Sequence, residues 1–240
     1  MENLAVSALA AGCREICSPE EEHDRQLLAE LNPDYVRKQA NDPNARKKML
    51  LEKQTLQVAF KLEQNAQLWL YSQIMKCTMM SSVVAPDAEM VNNYALIIFQ
   101  QYGQRPISHF QIFFGLAQVG RHFGDNEQIV HFGIFDLSRI LCDLDRQLRI
   151  ISYKRVITQQ KIDRIDFQIQ MCDELIDGRV KYPNEQAARD PSNERHNRLS
   201  QKEIAFFNSD EWEIVKRTQV ENAKLERERL RRQRYEVTGE

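Results

Sequence analysis

A cluster of basic side chains near the C-terminus is the strongest candidate for a binding site in this sequence. Between Lys216 and Tyr235 basic residues outnumber acidic ones, and several recur at helical spacing. The arginines expected to contact phosphates are Arg227, Arg229, Arg231, Arg232 and Arg234. Guanidinium groups on one side of a helix can follow a nucleic-acid backbone. The segment therefore predicts a nucleic-acid contact without covalent chemistry.

Two other interpretations of the basic segment stay open. Glutamates four residues before arginines, as in Glu213–Arg217 and Glu228–Arg232, would form ion pairs along a solvated helix. The same helix could instead dock on an acidic surface of a protein partner. Salt-dependent DNA binding that is lost when residues 216–240 are deleted would favour the nucleic-acid interpretation.

The histidines and cysteines do not have the spacing of a metal site. No HExxH or CxxC pattern occurs, and the pair Cys13 and Cys17 has no second ligand pair at zinc-finger spacing. His122 and His131 flank a loop, and with His109 they would matter only if a polar pocket joined them. The histidines are His23, His109, His122, His131 and His196, and the cysteines are Cys13, Cys17, Cys77, Cys142 and Cys172. We expect reduced cysteines, no metal and no cofactor.

Motifs for phosphate cradling and covalent catalysis are also missing from the sequence. There is no GxxxxGK[ST], GxGxxG or GxSxG, and Gly115, Gly120 and Gly124 are too widely spaced to form a phosphate loop. The carboxylate pair Asp163 and Asp166 would share a helix face that also carries basic residues. We therefore expect a protein that is not an enzyme.

The composition is typical of a helical globular protein. Of the 240 residues, 42% are hydrophobic and 28% are charged, and there are only 8 glycines and 7 prolines to form turns. The N-terminus lacks the basic start of a secretion signal, and no stretch of about 18 apolar residues occurs. The expectation is an all-α protein, a helical bundle located in the cytoplasm.

The apolar pattern predicts one very long helix over residues 136–178. Its distal half carries apolar residues at alternating three- and four-residue steps, like a coiled-coil seam. The seam consists of Ile162, Ile165, Ile169, Cys172 and Ile176. Such a helix spans about 60 Å, so its distal half must pack on another helix of the chain, such as the one containing Trp69, or on a second subunit through an oligomerisation interface.

The pattern divides the chain into four parts. Residues 1–42 are expected to form a helical appendage, residues 43–178 the helical core, residues 179–208 a polar linker and residues 209–240 a basic helix. Within the core, one helix is expected from Pro43 to about Ser82, and a capping box at Ser108 and Gln111 is expected to open another. A short strand is considered at residues 129–132.

One stretch resembles small, largely uncharacterised replication-associated proteins of tailed phages and integrating mobile elements. The similar residues are Tyr102-Gly103-Gln104-Arg105-Pro106-Ile107-Ser108-His109-Phe110-Gln111, Phe114, Gly120-Arg121, Phe132-Gly133-Ile134-Phe135 and Ile140-Leu141. The resemblance covers about fifty residues, and it carries no catalytic residues. Ser108, Gln111 and Arg121 stand where the family pattern has threonine, glutamate and lysine.

The resemblance implies a phage or mobile-element setting and a helical protein that assists replication or assembly. Together with the helical core, the long helix and the basic C-terminal segment, it leads to the hypothesis of a non-enzymatic accessory protein of DNA replication that bridges a protein partner and nucleic acid. A virion-associated or assembly scaffold that oligomerises through the Ile162–Ile176 seam is the alternative. An adaptor that binds only proteins is a third hypothesis. The implied location is the cytoplasm of the host cell or the virion.

Overall fold

The computed structural model describes residues 18–81, 87–121, 123 and 137–239. Eleven α-helices and one 3-10 helix account for the regular structure of these residues, which confirms the all-α class. The helices are α1 (Pro19–Glu30), α2 (Pro33–Asn41), α3 (Pro43–Leu51), α4 (Leu56–Ala59), α5 (Glu63–Ser81), α6 (Ala88–Tyr102), α7 (Ile107–Ala117), α8 (Leu137–Ile176), α9 (Pro183–Arg189), α10 (Gln201–Phe207) and α11 (Asp210–Thr238). The expected strand at 129–132 lies outside the described residues.

The chain divides into two compact units, Met1–Arg155 and Val156–Glu240. This division differs from the four parts expected from the sequence, because the boundary falls inside α8. The first part of α8 belongs to the first unit, and the part from Val156 onward belongs to the second.

The first two helices start as their sequences predict. Ser18 accepts a hydrogen bond from the Glu21 N–H, and the Glu21 carboxylate accepts one from the Ser18 N–H, so a complete capping box opens α1. Asn32 caps α2 in a similar way, with proline in the first turn. These local signals fix where the two helices begin.

Residues 18–41 belong to the core of the first unit and do not form the expected appendage. Val36 and Ala40 of α2 are buried against α7. The close approach depends on Gly115, where an added Cβ would lie 2.4 Å from the Ala40 Cβ. The Asn41 side chain also donates to the Gly115 carbonyl at 3.2 Å. A thin apolar stripe is sufficient here because small residues let the backbones meet.

The single helix expected over Pro43–Ser82 is instead three helices, α3, α4 and α5. Backbone hydrogen bonds join the segment after α3 to the turn before α7: Leu56 N–H donates to Arg105 O, and Ile107 N–H donates to Gln54 O. A second break precedes α5, where the buried Asp24 carboxylate accepts from the Lys61 and Leu62 N–H groups. Both breaks depend on partners distant in sequence, so helical periodicity does not reveal them.

The capping box expected at Ser108 and Gln111 is wrong. The helix α7 begins at Ile107, with Pro106 in the cap position, so Ser108 already lies inside it. Every residue of α7 is buried, including Ser108, His109 and Gln111. The cap position is occupied two residues before Ser108, so the serine cannot act as the cap.

The second unit contains the region that was expected to be a polar linker. Its helices α9 and α10 bury Ala187 and Ala188 and surround Trp212 of α11. Tyr182 and Phe207 meet the Trp212 ring edge-on, with ring centroids 5.2 Å and 5.1 Å away. Three aromatic side chains and two alanines thus replace the usual aliphatic core, which is why an apolar-stripe criterion misses this part.

Gly178 ends the turn that follows α8, as its position predicted. Its φ is +67°, in the left-handed region, and the Arg179 N–H donates a hydrogen bond to the Glu174 carbonyl.

Among the described residues, no helix is sufficiently long and apolar to cross a membrane.

Candidate functional site

The distal part of α8 and the helix α11 form an antiparallel pair in the second unit. The Arg227 guanidinium lies 3.0 Å from the Asp173 carboxylate, and the Arg234 guanidinium lies 2.8 Å from that of Asp166. Arg234 follows Arg227 in α11, but its partner Asp166 precedes Asp173 in α8. The two helices therefore run in opposite directions. We call this pair the hairpin: residues 156–176 and 210–238.

The predicted seam lies in the hairpin. Ile162 and Ile165 are 5% and 3% exposed, and Ile169 and Ile176 are half-buried. Leu230 of α11 is buried as well. Pairing of the two helices within one chain accounts for this burial, so the innermost seam residues do not need a second subunit.

The five predicted arginines divide into two groups. Arg227 and Arg234 join the two helices through the ion pairs given above. The other three project from α11 itself: Arg229 pairs with Glu226 at 2.7 Å, and Arg231 pairs with Glu228 at 3.3 Å. The Arg232 side chain is exposed and makes no hydrogen bond or ion pair with any residue that the structure describes. Sequence spacing could not distinguish the arginines that pair with α8 from those that do not, because spacing alone does not show which face of α11 is covered by another helix.

The ion pairs proposed from i,i+4 spacing form with other partners. Glu213 was expected to pair with Arg217. It contacts Lys216 at 2.8 Å and Arg189 at 3.0 Å instead. Hydrogen bonds from these two cations hold the pKa of Glu213 below its usual value. The carboxylates therefore serve partly to attach α9 to α11.

Several large apolar side chains of the hairpin are exposed. Phe167 and Met171 of α8 are 61% and 46% exposed, and Leu225 of α11 is 73% exposed. A cleft of about 550 Å³ lies between the two helices, and it is lined in part by Met171, Leu175 and Tyr182. Exposed apolar groups beside a cleft are typical of a surface that another molecule covers.

The histidines and cysteines are not brought together in the described residues. His23 bonds the Ala59 carbonyl at 3.1 Å and His196 bonds the Ala187 carbonyl at 2.7 Å. His109 is buried, and neither ring nitrogen has a hydrogen-bond partner. Burial raises the pKa of the Cys172 thiol. Cys13, Cys17, His122 and His131 lie outside the described residues, and no group of three metal-ligating side chains occurs within them.

A polar cleft in the first unit was missed in the sequence. Its volume is about 260 Å³, and Glu52, Gln54, Gln39 and Gln111 line it together with apolar residues of α1, α3 and α7. Only Gln111 carried a sequence signal, and that signal pointed to a helix cap. Gln39 lies in α2, whereas Glu52 and Gln54 lie in the segment between α3 and α4, and the three share no motif.

No protein-family model, curated protein or solved structure matches this chain.

Proposed function

We propose that this chain is a non-enzymatic accessory protein of phage or mobile-element DNA replication that bridges nucleic acid and a protein partner. The resemblance of residues 102–141 supports the replication setting. The observation that carries the nucleic-acid role is the division of the arginines, because Arg229, Arg231 and Arg232 project from the hairpin while two others hold it together.

The ion pairs of the projecting arginines do not prevent phosphate binding. The Arg229 and Arg231 side chains are 63% and 52% exposed, and their glutamate partners lie three residues earlier on the same helix. Exposed pairs of this kind contribute little to stability, because water screens the charges. A phosphate accepts two parallel hydrogen bonds from one guanidinium, so it can replace a glutamate at little cost.

The protein partner would bind the apolar side of the hairpin. Phe167 and Met171 are four residues apart on α8, so they lie on the same side of the helix. Aromatic and methionine side chains are enriched at protein interfaces. One small helical pair thus offers both a basic and an apolar surface.

The nucleic-acid role is tested by fluorescence anisotropy of labelled DNA at 50–300 mM salt. We expect the triple variant Arg229→Gln/Arg231→Gln/Arg232→Gln to lower the slope of log K against log salt by about two to three. The matched control is Arg195→Gln/Arg198→Gln/Lys202→Gln, which removes the same charge from exposed residues of the same unit. Absence of binding at 50 mM salt, or an equal loss in the control, would exclude Arg229, Arg231 and Arg232 as the phosphate contacts.

A virion-associated or assembly scaffold is the second candidate. Since Ile162 and Ile165 are covered within the chain, oligomers would have to form through exposed residues such as Phe167 and Met171. Sedimentation of the full chain at tens of micromolar tests this candidate. A concentration-dependent oligomer that the variant Phe167→Gln/Met171→Gln abolishes would support the scaffold, whereas a monomer in the unmodified protein would exclude it.

A further inference from the structure

The cleft of the first unit has apolar walls and a polar rim. Leu27 and Leu31 at the end of α1, Met49 of α3 and Ile107 of α7 form the walls. Its volume of about 260 Å³ lies just below the roughly 300–1,000 Å³ of ordinary small-molecule sites. The space therefore suits one group about as large as an amino-acid side chain.

Gln111 supplies a buried polar group in this cleft. The residue is 8% exposed, it lines the cleft, and its carboxamide makes no hydrogen bond with any described residue. Its carboxamide atoms are not fully enclosed by protein, so a polar molecule can reach them. Because Gln111 is nine-tenths buried and borders this space, a molecule in the cleft is in the right place to be its partner.

Glu52 supplies a carboxylate at the rim of the same cleft. Within the described ranges it has no ion pair and no hydrogen bond through its side chain. Burial raises the pKa of this carboxyl group, and no neighbouring cation offsets the effect. Glu52 is exposed at the rim, so water hydrates its carboxylate when no ligand is bound. A cation is the favoured ligand for this position because it attracts the negative charge.

We propose that the cleft lined by Glu52 and Gln111 binds an alkylguanidinium or alkylammonium group. The alkyl stem lies along Leu27, Leu31 and Met49, the cation pairs with Glu52, and its N–H groups donate to carboxamide oxygens. No lysine or arginine lines the cleft, so phosphates and carboxylates are disfavoured. The group can belong to a free amine or to an arginine or lysine side chain of a partner peptide.

The test is a titration of the full chain with n-butylguanidinium, followed by NMR signals of the glutamine side-chain amides. We expect saturable shifts of the Gln39, Gln54 and Gln111 amides. The neutral isostere n-butylurea should bind at least about tenfold more weakly, because a charge-assisted hydrogen bond is lost. The acetylated and amidated peptide Gly-Arg-Gly serves as the second arm: binding of the peptide assigns a side-chain source, and binding of the small cation alone assigns a free amine.

Variants separate the cleft from nonspecific cation binding. Glu52→Gln should weaken binding of n-butylguanidinium at least about tenfold, while the exposed Glu89→Gln removes the same charge elsewhere in the first unit and should leave binding unchanged. Gln54→Ala at the exposed rim avoids disturbing the buried Gln111 and should weaken binding less. Unsaturable binding, equal affinity for n-butylurea, or equal losses in Glu52→Gln and Glu89→Gln would overturn the proposal. This outcome is independent of the nucleic-acid test, which uses residues of the second unit.

Discussion

His109 is a buried, uncharged histidine whose surroundings oppose its protonation. It is 1% exposed in the middle of α7. Burial, together with repulsion from Arg155 and Arg105, lowers its pKa to about 4. In the unfolded chain the imidazole regains a pKa near 6.5. Between these two values the unfolded state binds a proton that the folded state does not bind.

Stability of the first unit should therefore fall as the pH decreases from 6.5 towards 4. The expected loss attributable to His109 is about 2 kcal/mol between pH 6.5 and 5, since one pKa unit corresponds to about 1.4 kcal/mol. Urea unfolding at several pH values measures it. The variant His109→Leu removes the titrating group and should have a smaller pH slope.

The histidine at position 23 provides the control. His23→Gln keeps a side-chain donor for the Ala59 carbonyl and leaves His109 in place, so the unmodified slope should persist. If His109→Leu retained the full loss of stability between pH 6.5 and 5, another group would be responsible for it.

Residue types in this sequence were informative where the chemistry is local. Ser18 and Asn32 cap their helices by accepting hydrogen bonds from N–H groups three residues later, and Gly178 takes the left-handed conformation just after α8. Gln111 does not form the expected cap, because α7 starts before Ser108. The ion pairs of Arg227 and Arg234 with α8 had no sequence signal, because their partners lie far away in the chain. Glu52 had no sequence signal at all, since a cleft is formed by several helices at once.

At the scale of elements, the contact between α2 and α7 depends on the missing side chain of Gly115. An added Cβ would lie 2.4 Å from the Ala40 Cβ and 2.6 Å from the Val36 carbonyl oxygen. The backbone oxygen cannot rotate away, so the helices would have to separate. Gly115→Ala should therefore lower the free energy of unfolding by at least about 2 kcal/mol, measured by urea denaturation.

The sign of this effect distinguishes packing from helix propensity. Alanine is a better helix former than glycine by about 1 kcal/mol, so Gly115→Ala would stabilise the protein if the helices were not in close contact. Ala29→Gly on the exposed side of α1 measures the propensity difference alone. A stabilising Gly115→Ala would show that α2 and α7 do not pack as described.

Helix periodicity predicted most of the core but not all of the boundaries. The stripe of Ala66, Trp69, Leu70 and Ile74 is buried as the 3–4 spacing indicated. The breaks before α4 and before α5 could not be predicted. Their backbone groups bond residues far away in sequence: the turn before α7 in the first case and the Asp24 carboxylate in the second. Periodicity identifies the buried face of a helix, whereas tertiary hydrogen bonds decide where the helix stops.

At the scale of the whole molecule, the boundary between the two units coincides with a polar interruption in the apolar pattern of α8. The apolar seam of α8 passes through Leu148 and Ile151 and resumes at Ile162, and the intervening seam positions are Arg155 and Thr158. The unit boundary falls between these two residues. A polar interruption of a long heptad pattern thus coincides with the transition from one core to the other.

The two tryptophans report on the two units separately. Trp69 donates to the Leu31 carbonyl at 2.9 Å and packs edge-on against Phe114 in the first unit. Trp212 lies among the aromatic rings of the second unit. Because the sequence contains only two tryptophans, the variants Trp69→Phe and Trp212→Phe each leave a single fluorophore in one unit.

We expect the two variants to unfold in urea with different fluorescence midpoints. The first unit has a large aliphatic and aromatic core, whereas the second relies on the aromatic cluster around Trp212 and on a few buried hairpin residues such as Ile162, Ile165 and Leu230. Burying less apolar surface gives less stability, so fluorescence of Trp69→Phe, which follows Trp212, should change at lower urea. Circular dichroism of both variants controls for destabilisation by the substitutions. Coincident midpoints in both variants would mean that the units unfold as one cooperative structure.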